Sequence, residues 1–171
     1  MKIFSNIMRQ EFFPLGVILI LALARLIPHP PNFTPVVSVA IMSCYFFRNI
    51  YLSISVMIFS MLIADIFLGF HKYMFFVYLS LLLIILVFSK FKTSMKFRNL
   101  FVFSFFGALI FYLISNFGVW ALSETYTKNL TGLLQCYVLA IPFFSNTFLS
   151  TLLFSYLTFL GNYLYESKIT N

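Results

Sequence analysis

The chain has 171 residues, of which 62% are hydrophobic and only 9% are charged. Soluble domains carry charge at roughly a quarter of their positions, so this composition excludes a water-soluble globular fold, and the length excludes two ordinary domains. The net charge of +7 does not indicate nucleic-acid binding, because no basic run stands apart from the apolar segments; cationic loops beside anionic lipid headgroups account for it.

Six apolar stretches are candidates for membrane-spanning helices, which need roughly 20 apolar residues, or about 17 at the low end. In chain order they cover residues 12–27, 33–47, 50–70, 73–89, 100–121 and 146–165. Their continuous apolarity lacks the period-two alternation of a membrane β-barrel. The sequence therefore predicts one transmembrane domain over residues 1–171, an all-α polytopic bundle of about six helices.

Cations between the stretches predict the orientation. Threading six spans places eight cations on one side, which are Lys2, Arg9, Arg48, Lys90, Lys92, Lys96, Arg98 and Lys168. Three lie on the other side, which are Arg25, Lys72 and Lys128. Because cytoplasmic loops are enriched in Lys and Arg, we expect both termini in the cytoplasm. Residues 1–24 also resemble a cleavable signal peptide; cleavage would leave five spans in the same orientation.

Helix breakers interrupt the chain in two places. Four prolines between residues 28 and 35 prevent a continuous helix through the first two stretches. Residues 130–144 are apolar and uncharged, but Gly132, Gln135 and Pro142 interrupt them. This segment is too short to cross and return as two helices. We expect a re-entrant or interfacial helix there, whose backbone polar groups need protein or a wet cavity as partners.

Asp65 is the most informative polar residue on the expected outer side. It lies about five residues inside the end of the third stretch, roughly 7–8 Å deep at the helical rise. A carboxylate at that depth normally faces the bundle interior, a partner or water. Two interpretations stay open, namely an ion pair with Arg25 of the first stretch and a direct role in binding a ligand or a proton.

Metal and disulfide sites are not indicated. His29 and His71 flank the level of Asp65, but their spacing matches no compact metal motif, so we expect no metal and no other cofactor. The two cysteines, Cys44 and Cys136, lack CxxC spacing and are interpreted as small buried hydrophobic residues.

Amide and aromatic side chains complete the candidate binding site. Asn116 lies near the outer end of the fifth stretch, where an amide seeks a hydrogen-bond partner on a helix or a ligand. Trp120, Tyr126 and Tyr137 either form an aromatic wall for a small organic ligand or belong to an interfacial aromatic belt. The full candidate set for substrate binding is Arg25, His29, Asn32, Asp65, His71, Asn116, Trp120, Tyr126 and Gln135.

Four strings of residues are distinctive. They are RLIPHPPNFTP at 25–35, DIFLGFH at 65–71, SNFGVW at 115–120, and GLLQCY at 132–137 leading into AIPFF at 140–144. Through these strings the chain resembles the DUF6580 family of bacterial membrane proteins, which are regarded as transport proteins. The resemblance covers roughly residues 20–165 and implies a multi-pass protein of the bacterial inner membrane.

That family is in turn similar to the substrate-binding membrane subunits, or S components, of energy-coupling-factor (ECF) transporters. The likeness implies six helices, a ligand site near the outer face closed by loops, and as partners a transmembrane scaffold and cytoplasmic ATPases. This sequence departs from the expected patterns in three places. Its first stretch lacks the AxxxA pattern associated with scaffold contact, and Thr127 stands where the family usually has proline after tyrosine. The segment Phe148-Leu149-Ser150-Thr151 lacks the expected Gly-Asp.

The leading functional hypothesis is uptake, in which this integral membrane protein binds a small solute. The alternative is a non-transporting membrane scaffold or assembly factor, whose outer polar residues would be structural. No Ser-His-Asp order and no GxSxG, HExxH or GxxxxGK[ST] motif occurs, so we do not expect an enzyme or an ATPase. The expected partners are the lipid bilayer and a small solute, and no nucleic acid.

Overall fold

The computed structural model describes residues 14–21, 23–47 and 49–170. These residues form helices and connecting turns, with no strand among them, which confirms the all-α prediction. The helices are α1 Pro14–Leu26, α2 Val36–Phe46, α3 Ile50–Leu68, α4 Met74–Phe88, α5 Leu100–Leu122, α6 Leu130–Leu139 and α7 Ile141–Thr170. Some features of the sequence analysis lie outside the described residues. They are Lys2, Arg9, Arg48, the start of the first predicted span, and the side chains of Lys92 and Lys168.

Four segments are long and apolar enough to cross a membrane, judged by length and composition. They are Ile50–Leu68, Met74–Phe91, Phe97–Leu122 and Ile141–Ser167. Helices α1, α2 and α6 are apolar but shorter. The 11 residues of α2 rise only about 16 Å, roughly half of a hydrocarbon core of about 30 Å. The structure therefore shows four candidate spans.

Prolines explain where two helices differ from the predicted stretches. α2 begins only after Pro35, because the prolines before it cannot continue a helix. α7 begins at Ile141 instead of near residue 146. Pro142 is compatible with that early start, since the first turn of a helix has no intrahelical partner for the missing N–H.

Helix α2 forms the centre of the bundle. Every residue from Val36 to Cys44 is buried, and the helix packs against α3, α4, α5 and α7. The approach of α5 depends on Gly107, where a Cβ atom would lie 2.8 Å from Cδ1 of Ile41 and 3.1 Å from Cγ1 of Val37. A predominantly apolar helix of this kind is stable where protein surrounds it on all sides.

The buried face of α7 is built from small polar residues. They are Thr147, Ser150, Thr151, Ser155, Thr158 and Asn162. Hydroxyl groups on this face largely donate to carbonyl oxygens of α7 itself, as Thr151 does to Thr147 at 2.6 Å. Ser155 also meets Ser38 of α2 at 3.2 Å between their Oγ atoms. Small side chains allow close helix packing in a membrane, where there is no hydrophobic force between helices.

The loops gather at two opposite ends of the bundle. One end, here called the proline-loop end, holds the loops of residues 27–35, 69–73 and 123–129 together with α6. The other, the basic-loop end, holds residues 89–99, with Lys90, Lys96 and Arg98 exposed. At the basic-loop end Phe159 of α7 packs against Phe97 and against Tyr45 of α2.

Candidate functional site

Arg25, Asp65 and Tyr78 form a buried polar cluster at the proline-loop end. Nη1 of Arg25 donates to Oδ1 of Asp65 at 3.0 Å, and the Tyr78 hydroxyl donates to Oδ2 at 2.8 Å. Asp65 is only 1% exposed. The cluster joins the end of α1 to α3 and α4. Both carboxylate oxygens of Asp65 are therefore occupied by protein groups.

Helix α3 ends directly after this cluster. Asp65 lies in the last turn, and Gly69 follows the helix with φ of +90°, a conformation that a residue with a Cβ adopts only under strain. Nη1 of Arg25 also lies 3.3 Å from Sδ of buried Met61, one turn earlier. The guanidinium of Arg25 is thus held along α3, which explains how an arginine is accommodated among apolar helices.

A separate cavity of about 390 Å³ lies at the same end of the bundle. Side chains from the proline-rich loop, α5, the 123–129 loop, α6 and the start of α7 surround it. The lining residues are Pro31, Asn32, Asn116, Val119, Tyr126, Cys136, Leu139, Ala140 and Phe143. Small-molecule sites are typically mostly apolar clefts of about 300–1,000 Å³ with a few placed polar groups, and this cavity has that character.

The proline-rich loop is shaped by a tight turn. The Phe33 N–H donates to the Pro30 carbonyl at 2.9 Å. Pro31 and Asn32 stand between them, and Asn32 has φ of +60°, as expected of a type II turn with proline followed by a residue tolerant of positive φ. Nδ2 of Asn146 donates to the Pro31 carbonyl at 2.9 Å. α7 therefore fixes the loop on the cavity side.

The 123–129 loop, which carries Tyr126, is held by several hydrogen bonds. The indole N–H of Trp120 donates to the Thr127 carbonyl at 3.0 Å. The Lys128 ammonium donates to the carbonyls of Trp120 and Ser123, and it lies 5.8 Å from the centre of the Trp120 ring. These contacts hold the backbone on both sides of Tyr126.

Two tyrosines dock α6 onto α5. The Tyr112 hydroxyl donates to the Tyr137 carbonyl, and the Tyr137 hydroxyl donates to the Leu113 carbonyl, each at 2.6 Å. Cys136 Sγ donates to the Asn116 carbonyl at 3.5 Å. At the start of α6, the Asn129 side chain accepts from the Gly132 N–H at 2.9 Å. α6 is thus a defined cavity wall, and Tyr137 serves to fix it.

The two ionisable groups of the cavity wall are neutral at physiological pH. Burial raises the pKa of the Tyr126 hydroxyl, and the nearby Cys136 thiol raises it further. Burial also raises the pKa of the Cys136 thiol, with the Tyr126 hydroxyl acting in the opposite direction. Both groups therefore keep their protons near pH 7, because the ordinary pKa of each already lies above that value.

The structure divides the candidate residues predicted from the sequence. It brings Asn32, Asn116 and Tyr126 together around the cavity. Arg25 and Asp65 are paired in the neighbouring cluster and do not line it.

The other four candidates also lie outside the cavity lining. His29 and His71 are exposed, and Nδ1 of His29 lies 2.9 Å from the Pro30 carbonyl. Gln135 is exposed on α6, and Trp120 braces the 123–129 loop. No group of three His, Cys, Asp or Glu side chains that could hold a metal occurs among the described residues.

A comparison with known families assigns this chain, because residues 5–171 match the family of unknown function DUF6580. The chain therefore belongs to the DUF6580 family. No curated protein and no solved structure matches it. The likeness of this DUF6580 protein to ECF S components accordingly stays a prediction.

Sequence reasoning missed several cavity residues, most of them apolar. Cys136 was interpreted only as a buried hydrophobic residue, and it is both buried and part of the wall. One signal in the sequence of this DUF6580 protein predicts which side of α6 is buried. Gly132, Cys136 and Ala140 recur every four residues, and all three are buried, which marks the side of α6 that packs against the bundle.

Proposed function

We propose that this protein is a membrane-embedded binding subunit for uptake of a small solute and that the cavity is its binding site. The observation that carries the proposal is the cavity of about 390 Å³ in which Asn32, Asn116 and Tyr126 converge among apolar side chains. Nδ2 of Asn116 bonds to the Tyr112 carbonyl at 2.8 Å, so its Oδ1 atom is oriented as an acceptor. A solute would hydrogen-bond to Asn116 and pack against Tyr126.

In this proposal Arg25 and Asp65 have a structural role. They pair with each other, and Tyr78 donates to the second carboxylate oxygen of Asp65. A site that used the Asp65 carboxylate for a ligand would first have to break a buried ion pair, which is costly. In this proposal the central binding residue is Asn116 and not Asp65.

We place the chain in the bacterial inner membrane with six crossings, α1 and α2 being the short ones. Burial of α2 on all sides supports this, because a helix surrounded by protein does not need to match the bilayer thickness itself. The excess of eight cations over three between the two sides supports a cytoplasmic basic-loop end, because cytoplasmic loops are enriched in Lys and Arg. The cavity then opens toward the outside, as uptake requires.

We propose that energy for uptake comes from partners; the sequence contains no Walker motif with which the chain itself would hydrolyse ATP. A transmembrane scaffold with cytoplasmic ATPases of the ECF type is the arrangement we propose. The protein itself would bind the solute and catalyse no reaction.

Native mass spectrometry of the protein, purified gently in mild detergent, tests this function. We expect a retained small molecule in the wild type and its loss in Asn116→Leu, which removes the carboxamide at similar size. Ser115→Ala is the matched control, since Ser115 donates to the Phe111 carbonyl of its own helix and is not among the residues that line the cavity. A stable complex with envelope-assembly proteins and no bound molecule would instead support the scaffold function.

A further inference from the structure

The cavity wall has a particular electrostatic character. Polar groups from Asn32, Asn116 and Tyr126 face it, yet none of the described lining residues carries a carboxylate, ammonium, guanidinium or imidazole group. Its hydrogen-bonding groups are amides, a phenol, a thiol and backbone groups. A ligand here would find dipoles but no counter-ion.

The cations nearest to the cavity are engaged with other protein groups. The Arg25 guanidinium is paired with Asp65 at 3.0 Å. Lys128, near Tyr126 in sequence, directs its ammonium onto the carbonyls of Trp120 and Ser123. Neither cation lines the cavity, although the charge of Lys128 acts on the Cys136 thiol and opposes the rise of its pKa.

A charged ligand would therefore be taken from water into a partly apolar site without a partner. Burying an unpaired ion costs far more than burying a dipole that keeps its hydrogen bonds. An amide such as Asn116 can instead satisfy a neutral donor or acceptor. The apolar wall, with Val119, Leu139 and Phe143, favours a ligand that also has an apolar part.

We infer that the cavity selects uncharged small solutes, with one or two hydrogen-bonding groups facing Asn116 and an apolar portion packed against α6 and the start of α7. This inference rests on the proposed binding function and specifies its substrate class. It distinguishes this site from one built around the Arg25–Asp65 pair, which would favour charged ligands.

Cys136 offers a direct test, because its thiol lies in the cavity wall. Methanethiosulfonate reagents of similar size are used in neutral, anionic and cationic forms on the full chain in detergent. Modification of Cys136 is followed by peptide mass spectrometry, and each rate is divided by that of the same reagent with a small free thiol. The matched control is the double variant Cys136→Ser, Gln135→Cys. Its reactive cysteine lies at position 135, on the exposed side of α6.

We expect the neutral reagent to modify Cys136 at least about tenfold faster than either charged reagent, since entry of an unpaired charge is penalised. At position 135 the three normalised rates should be similar. Equal rates at Cys136 for charged and neutral reagents would overturn the inference and leave the proposed binding function standing. The measurement is repeated at alkaline pH, because burial raises the pKa of the Cys136 thiol and only the thiolate reacts. Failure of all three reagents to modify Cys136 even there, with position 135 reactive, would overturn both, because a cavity closed to small molecules cannot bind a solute.

Discussion

Nη1 of Arg25 lies 3.0 Å from Oδ1 of Asp65, which ties the end of α1 to the last turn of α3. Their side chains are only 14% and 2% exposed. Since water screens such a pair weakly, the two charges depend on each other. The pair explains how two ionised residues remain within an apolar chain, and it has a consequence for stability.

Asp65→Asn should destabilise the protein more than the double variant Arg25→Met, Asp65→Asn. Removing one partner of a buried pair costs about 3–5 kcal/mol because the other charge is left unpaired, whereas the double variant leaves no buried charge. Thermal unfolding in one detergent measures the difference, with exposed Glu124→Gln as the control. If Asp65→Asn unfolds at the same temperature as Glu124→Gln, the pair has no stabilising role.

Tyr78→Phe should also lower the unfolding temperature. It removes the hydroxyl that donates to Oδ2 of Asp65 at 2.8 Å, and a hydrogen bond to a charged group contributes about 1.5–3 kcal/mol. Tyr51→Phe is the matched control, because Tyr51 is 77% exposed. Combining Tyr78→Phe with Asp65→Asn should cost less than the sum of the separate effects, since both act on one contact. Strict additivity would argue against the cluster.

Gly118→Ala should weaken the packing of α4 on α5. A Cβ atom at position 118 would lie 2.3 Å from Cγ of Phe76, and overpacking of this kind costs about 1–3 kcal/mol. Gly161→Ala is the control, because nothing lies within 4 Å of a Cβ there. Alanine inside a helix is favoured over glycine by about 0.5–1 kcal/mol, so Gly161→Ala should be neutral or stabilising. Partial rescue of Gly118→Ala by Phe76→Ala would identify the contact responsible.

Gly132→Ala should displace the 123–129 loop. A Cβ atom at position 132 would lie 2.1 Å from the Thr127 carbonyl oxygen, which also accepts from the indole of Trp120 at 3.0 Å. Trp120 is the only tryptophan in the sequence, so its fluorescence reports on this loop directly. We expect a shifted emission maximum in Gly132→Ala and an unchanged one in Gly161→Ala. An unchanged spectrum in both would show that α6 accommodates the methyl group without moving the loop.

The same change should reduce solute retention under the proposed function. Tyr126 lies in the displaced loop and lines the cavity, so its position depends on the contacts of Trp120 and Thr127. Native mass spectrometry of Gly132→Ala beside Gly161→Ala separates this effect from a general loss of stability. Full retention in Gly132→Ala would mean that Tyr126 does not contribute to binding.

Composition and local sequence signals determined the helical fold class and the breaks between the helices. An apolar chain with so few charges has to place helices in lipid, and the prolines between residues 28 and 35 and the basic segment around residues 90–98 separate those helices. Such features act over a few residues and can be recognised in the sequence.

Tertiary structure alone decided which polar groups meet. Asp65 had one partner suggested by its level in the membrane, Arg25, but its second partner, Tyr78, lies on the next helix and carries no sequence signal. The cavity joins Asn32, Asn116 and Tyr126, from two loops and a helix, to apolar residues of α6 and α7. Small residues in the sequence mark a face that can pack closely, but they do not name the helix that it meets. The partners across Gly107, Gly118 and Gly132 are decided by the tertiary structure.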